Sequence, residues 1–122
     1  MAKKESLAEK DLLVQKVVQG MQEKKAEHIT VLNLEEVQAS VADFFVICTA
    51  SNERQVDAIA DSIEEEVRKA TKEKPWHVEG KENKEWVLLD YINVVAHVFN
   101  KDKREFYGLD ELWGDAEITK FD

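Results

Sequence analysis

Asp43-Phe44-Phe45-Val46-Ile47-Cys48-Thr49 sets five apolar residues in a row between polar ends. A run that is short and does not alternate predicts a strand covered on both faces. Ser51 or Asn52 can cap a helix directly behind it, and Val56, Ile59, Ala60, Ile63 and Val67 recur at three- and four-residue spacing as its buried stripe. Glu64 with Arg68 and Glu65 with Lys69 fall on the wet side as four-residue pairs. Pro75 stops the helix, and Trp76 to Glu79 is short enough for an edge strand. Strand, helix, strand is the pattern of a crossover in a sheet, which places the chain in the α/β class.

Upstream, Leu12, Leu13, Val17 and Met21 lie on one stripe of a helix over about residues 10 to 25, with Gly20 near its end. Ile29, Val31 and Leu34, interleaved with Thr30 and Asn33, predict a strand over about 28 to 34, followed by a loop through Glu35, Glu36 and Ser40. Downstream, Trp86 to Tyr91 and Asn93 to Phe99 are separated so tightly that they form a hairpin. With Ile92 and Asn93 as the turn, Asp90 opposes Val95, Leu88 opposes His97 and Trp86 opposes Phe99. One face then carries Trp86, Leu88, Asp90, Val95, His97 and Phe99, and the other Val87, Leu89, Tyr91, Val94, Ala96 and Val98. Both are largely apolar, so one packs on helices and the other needs the C-terminal segment or a partner as cover. Phe106, Leu109 and Trp113 share a helical face if Gly108 is tolerated, giving a short closing helix or an aromatic anchor for a partner. The expected architecture is a mixed β-sheet of about five strands with flanking helices, in one domain over residues 1–122 whose ends, 1–9 and 117–122, are flexible.

A net charge of −9 argues against phosphate backbones and anionic membranes as direct targets, because both are bound chiefly by Lys and Arg. It leaves a basic protein as a natural partner, or acidity that only keeps the protein soluble. The single Cys48, inside an apolar run, reads as a small core residue in a reducing compartment. No signal-peptide pattern follows Met1, and no apolar run approaches the roughly 20 residues of a membrane span. A cytoplasmic location is expected. Enzyme motifs are absent: no Gly-rich phosphate loop, no Gly-flanked nucleophilic Ser, no Cys/His spacing for zinc. His28, His77 and His97 are scattered. His97, beside Asp90, is the only one whose place invites a catalytic role, and it lacks a nucleophile. Asp57 and Asp61 look like solvated-face charges, and Asp110 with Glu111 lacks a third metal ligand. No cofactor and no metal is expected.

Three stretches, taken in order, resemble one family. They are Asp43 to Thr49 leading into Ser51, then Trp86-Val87-Leu88-Leu89-Asp90-Tyr91, and Val94 through His97-Val98-Phe99 into Arg104-Glu105-Phe106-Tyr107-Gly108-Leu109-Asp110-Glu111-Leu112-Trp113. The set is similar to the Iojap-related ribosomal silencing factors, over about Lys10 to Ala116. The resemblance implies a fold with the outline of a nucleotidyltransferase but without its catalytic acids, and this sequence has no Gly-Ser turn followed by an acid pair. It also implies binding to the large ribosomal subunit through its basic protein fourteen, steric blocking of the small subunit, lower translation under nutrient limitation, and a homodimer in the free state. Trp86, Asp90, His97, Tyr107 and Trp113 match signature positions of the family. Partner contact is accordingly expected from Trp86, Leu89, Asp90, Tyr91, His97, Phe99, Tyr107 and Trp113, with apolar contact from Trp86 and Tyr91 and an acceptor for the partner's cations from Asp90. The sequence departs from the family in turns: Ala50 after Thr49, Lys81-Glu82-Asn83-Lys84, and Ile92-Asn93. A nucleotide-handling enzyme of similar fold and a dimeric scaffold for another basic protein are the competing readings.

Overall fold

The computed structural model describes residues 2–37, 42–112 and 116–121, with side chains from residue 12 onward. In chain order the elements are α1 (Ala2–Glu23), β1 (Glu27–Asn33), β2 (Phe44–Ala50), α2 (Glu53–Thr71), β3 (His77–Glu79), β4 (Trp86–Asp90), β5 (Val94–Asn100), α3 (Lys103–Tyr107), α4 (Leu109–Leu112) and β6 (Glu117–Phe121). The strands make one sheet in the order β3-β4-β5-β2-β1-β6. Only β2 and β5 pair in parallel, and every other neighbouring pair is antiparallel. β3 therefore runs parallel to β2 with β4 and β5 between them, so α2 carries the chain across two strand positions to the sheet edge.

The hairpin register is the one that alternation predicts: Trp86 opposes Phe99, Leu88 opposes His97 and Asp90 opposes Val95. Its turn is an unusual one. Ile92 takes a left-handed φ of 74°, costly for a β-branched residue, and the Asp90 carboxylate accepts the Ile92 N–H at 2.7 Å to hold it there. Asn52, not Ser51, caps α2, accepting the Gln55 N–H at 2.9 Å.

Because successive strand residues point to opposite faces, the sheet sorts its apolar residues into two cores. α1 and α2 cover one face, burying Val17, Met21, Val56, Ile59 and Ile63 against Val46, Cys48, Leu89, Tyr91, Ala96 and Val98. On the other, Leu32, Phe45, Ile47, Val95 and Phe99 are buried under Leu109 and Ala116, with Trp86 and Leu88 half covered.

Three features differ from the sequence expectation. α1 begins at Ala2, far upstream of residue 10. Residues 117–121, expected as a loose end, form a sixth strand on β1. Gly108, at φ 64°, breaks the expected C-terminal helix in two, and its N–H closes α3 on the Arg104 carbonyl at 3.0 Å. Asp57 and Asp61 sit on the exposed side of α2, as expected of solvated charges, but are also paired: Lys84 Nζ lies 2.8 Å from Asp57, and Lys81 Nζ lies 3.0 Å from Glu64 and 3.7 Å from Asp61. These ion pairs tie the 80–84 loop to α2, and Lys69 pairs with Glu66 at 3.3 Å. Ser40 lies outside the described residues. Among the described residues no helix is long and apolar enough to cross a membrane.

Candidate partner-binding face

The face of the sheet away from α1 and α2 is aromatic at its β4–β5 end. Trp86 stacks on Phe99 with ring centroids 5.0 Å apart, and Tyr107 of α3 leans on Trp86 at 4.9 Å. Phe45 meets His97 edge-on at 4.6 Å. Such pairs add specific geometry to apolar burial.

His97 locks the cluster. The Trp86 indole N–H donates to its Nδ1 at 3.0 Å. An indole N–H can only donate, so Nδ1 is the acceptor and the imidazole proton sits on Nε2. The residue is only 2% exposed, and Nε2 has no partner among the described residues. Burial drives its pKa down to about 3, against a smaller upward pull from Asp110. At neutral pH it is therefore an uncharged imidazole whose basic nitrogen is taken, which is unsuited to general-base work. Asp90, its expected partner, turns instead to the Ile92 N–H in the hairpin turn. Among the described residues no group of three or more His, Cys, Asp or Glu is arranged to hold a metal ion. Cys48 is fully buried, and burial pushes its thiol well above the usual range, so no reactive thiolate is poised there.

The expected contact residues divide by strand alternation. Trp86, Asp90, His97 and Phe99 share the aromatic face, and Tyr107 joins them from α3. Leu89 and Tyr91 do not: odd spacing from Trp86 turns them to the opposite face, where α2 buries them. Phe99 and His97 are themselves buried and support Trp86 from below. Trp113 lies outside the described residues. What reaches solvent is half-buried Trp86, Leu88 and Asp90, together with Tyr107 at 43% exposure, Phe106 at 74% and Leu112 at 71%. The sequence places Leu88 on this face without singling it out, and it sets Phe106 and Leu112 in a stretch that reads either as a closing helix or as an anchor for a partner. A strand residue opposite a buried histidine, and large apolar residues beside a helix-breaking glycine, were the available signals.

A shallow groove of about 300 Å³ runs between the hairpin and the 80–84 loop, lined by Glu79, Gly80, Asn83, Glu85, Trp86, Leu88 and Tyr107. Its rim is acidic. Glu85 accepts the Tyr107 hydroxyl at 3.2 Å, and Glu79 on β3 sits beside His77 at 3.1 Å. Half-exposed rings within a carboxylate rim suit a basic protein surface that carries an apolar spot.

Residues 6–122 match the family described as "Ribosomal silencing factor during starvation". The ribosomal silencing factor RsfS of Halalkalibacterium halodurans is 41% identical over 113 residues, covering 90% of this chain and 92% of that protein. The protein of the same name from Bacillus subtilis is 40% identical over 100 residues, covering 82% of this chain and 83% of its own length. A crystal structure of a protein from Chromobacterium violaceum superposes with a TM-score of 0.78 at 27% identity, over 84% of this chain and 83% of that one. The mixed sheet, the ordered aromatic series and these matches agree: the chain belongs to the ribosomal silencing factor family.

Proposed function

We propose that this chain is a cytoplasmic regulator of translation that binds the large ribosomal subunit through its basic protein fourteen and keeps the small subunit from joining. Translation then falls under nutrient limitation, and the free protein is a homodimer. Membership in a family of ribosomal silencing factors supports action at the ribosome. The observation that carries the finer reading is the open aromatic face. Trp86, Leu88 and Tyr107 are only partly covered within the chain, Glu79 and Glu85 line the groove beside them, and Asp90 lies further along the same face, on a protein of net charge −9. An apolar centre with an acidic rim complements a basic protein, whereas it repels a phosphate backbone. Steric exclusion needs affinity and bulk and no catalysed step, which agrees with a neutral, engaged His97. Contact falls to Trp86, Leu88, Asp90 and Tyr107, with His97 and Phe99 as their support, because Leu89 and Tyr91 lie under α2.

The test is sucrose-gradient sedimentation of purified subunits at associating magnesium, with and without the protein. Comigration with the large subunit and fewer joined particles is the expected result. A protein that stays at the top while subunits join normally overturns the reading.

A further inference from the structure

α3 buries none of its residues, so the ring contacts of Tyr107 with Trp86 and Phe99 do not by themselves hold it in place. Arg104 does. Its Nε and Nη2 lie 3.0 and 2.7 Å from the two carboxylate oxygens of Asp110 on α4. The same Nη2 lies 2.8 Å from Thr30 Oγ1 on β1, and Nη1 donates to the His28 carbonyl and reaches Thr49 Oγ1 on β2 at 3.4 Å. The β1 strand is irregular at this point, with His28 at φ 52°, and its carbonyl is turned to the guanidinium. Burial pushes the Asp110 carboxyl up, but hydrogen bonds and charge from Arg104 outweigh that and hold it below its usual range. One planar fork thus joins α3, α4 and two strands, a geometry that a lysine's single ammonium cannot reproduce. Beyond this fork the arm carries Tyr107, which rests on Trp86.

We propose that Arg104 is a positioning residue for partner binding: its fork on Asp110, Thr30 and the β1 backbone fixes the α3–α4 arm, so that Tyr107 stays against Trp86 and the binding face is preformed. The inference rests on the large-subunit reading above. Neither Arg104 nor Asp110 needs to touch the partner. If the arm loosens, only a fraction of molecules presents the assembled face, and the apparent dissociation constant rises by the inverse of that fraction.

The experiment compares the full chain with Arg104→Lys and Thr30→Val. Amide hydrogen exchange over 103–112, exchange of the Trp86 indole N–H by NMR, and affinity for purified large subunits are measured on each. Arg104→Lys is expected to speed exchange in the arm while α2 stays protected, and to weaken binding about tenfold. Thr30→Val removes one bond of the fork without touching the arm, so a smaller loss, about threefold, is expected. It carries the test should Arg104→Lys disturb the whole fold. A loosened arm with unchanged affinity, or an arm that exchanges as in the unaltered chain, overturns the positioning role. An unaltered chain that ignores large subunits sinks the binding reading and this inference with it. Tight binding by the unaltered chain and by both variants sinks only the inference.

Discussion

The two faces of the sheet draw on the same central strands and are closed in different ways. On the helix side, β5 presents Val94, Ala96 and Val98, and two long helices seal them with aliphatic side chains. The helices meet so closely that a Cβ on Gly20 would lie 2.7 Å from the Ile63 Cα, so only glycine fits there. On the other side, β5 presents Val95, His97 and Phe99, and the cover is a short arm that buries Leu109 but no residue of α3 and is tied to β1 through Arg104. Each face keeps one buried polar group without a partner among the described residues, the Tyr91 hydroxyl under the helices and the His97 Nε2–H under the arm. Only the second leaves large rings in solvent. A closed aliphatic core supplies stability, and a half-closed aromatic one supplies a surface on which a second protein can complete the burial.

The comparison breaks most easily on the helix side. Ile63→Ala removes a fully buried side chain from between α1 and α2 and is expected to cost about 3–4 kcal/mol in urea unfolding. The folded variant should still bind large subunits with unchanged affinity. If affinity falls in step with stability, the two faces are not independent. Trp86→Ala reverses the pattern. Trp86 is half-buried at the edge of its core, so a stability loss of about 1–2 kcal/mol is expected, whereas binding should weaken by about 2 kcal/mol or more, roughly thirtyfold. A folded Trp86→Ala protein that binds as before removes the aromatic face from the interface.

His97 sharpens the contrast through pH. Its pKa is about 3 in the folded protein against an ordinary 6.5. Between those values the unfolded chain holds a proton that the folded chain refuses, so stability drops as pH falls through that window. The slope contributed is about 1.4 kcal/mol per pH unit. The groups facing it are the Trp86, Phe45 and Phe99 rings and, electrostatically, Asp110. His97→Gln keeps an acceptor for the indole and removes the titration, so its stability should decline less steeply below pH 6.5 and run parallel above it. Identical slopes in the two proteins would show that this imidazole is not the buried neutral group described.

Much of this is legible in the sequence. The run from Phe44 to Cys48, the α2 stripe and the β4–β5 register all follow from periods that burial imposes, because each has one or two covered faces. β6 escaped because all five of its residues are exposed and no periodicity marks it. Leu89 and Tyr91 fall with Trp86 in one stretch that resembles the family, but they are not signature positions, and alternation alone separates them from its face. Arg104 stands out in the sequence only as part of a motif, since its partners Thr30 and Thr49 stand 74 and 55 residues away and nothing local points to them. The left-handed turn at Gly108 was signalled by the glycine itself, but whether the helix would tolerate it depended on where Leu109 had to be buried.

The smallest expected effect lies where the two faces meet, in the 80–84 loop. Lys81 bridges from that loop to Glu64 and Asp61 on α2, while neighbouring Gly80 and Asn83 line the groove beside Trp86. The Glu64 hydrogen bond, only partly opposed by burial, raises the ammonium pKa, so the charge is present at every pH at which the protein is studied. Its side chain is nevertheless 44% exposed, and exposed ion pairs contribute little once solvent and salt screen them. Lys81→Ala should therefore shift stability in urea by no more than about 0.5 kcal/mol. It also leaves the chain one charge more acidic, so association with a basic partner should quicken slightly at low salt and match the unaltered chain at high salt. Slower association at low salt would mean that the loop's place on α2 matters more than its charge. The two faces would then be coupled through that loop, and the division between a sealed stabilising face and an open binding face would have to be redrawn along α2.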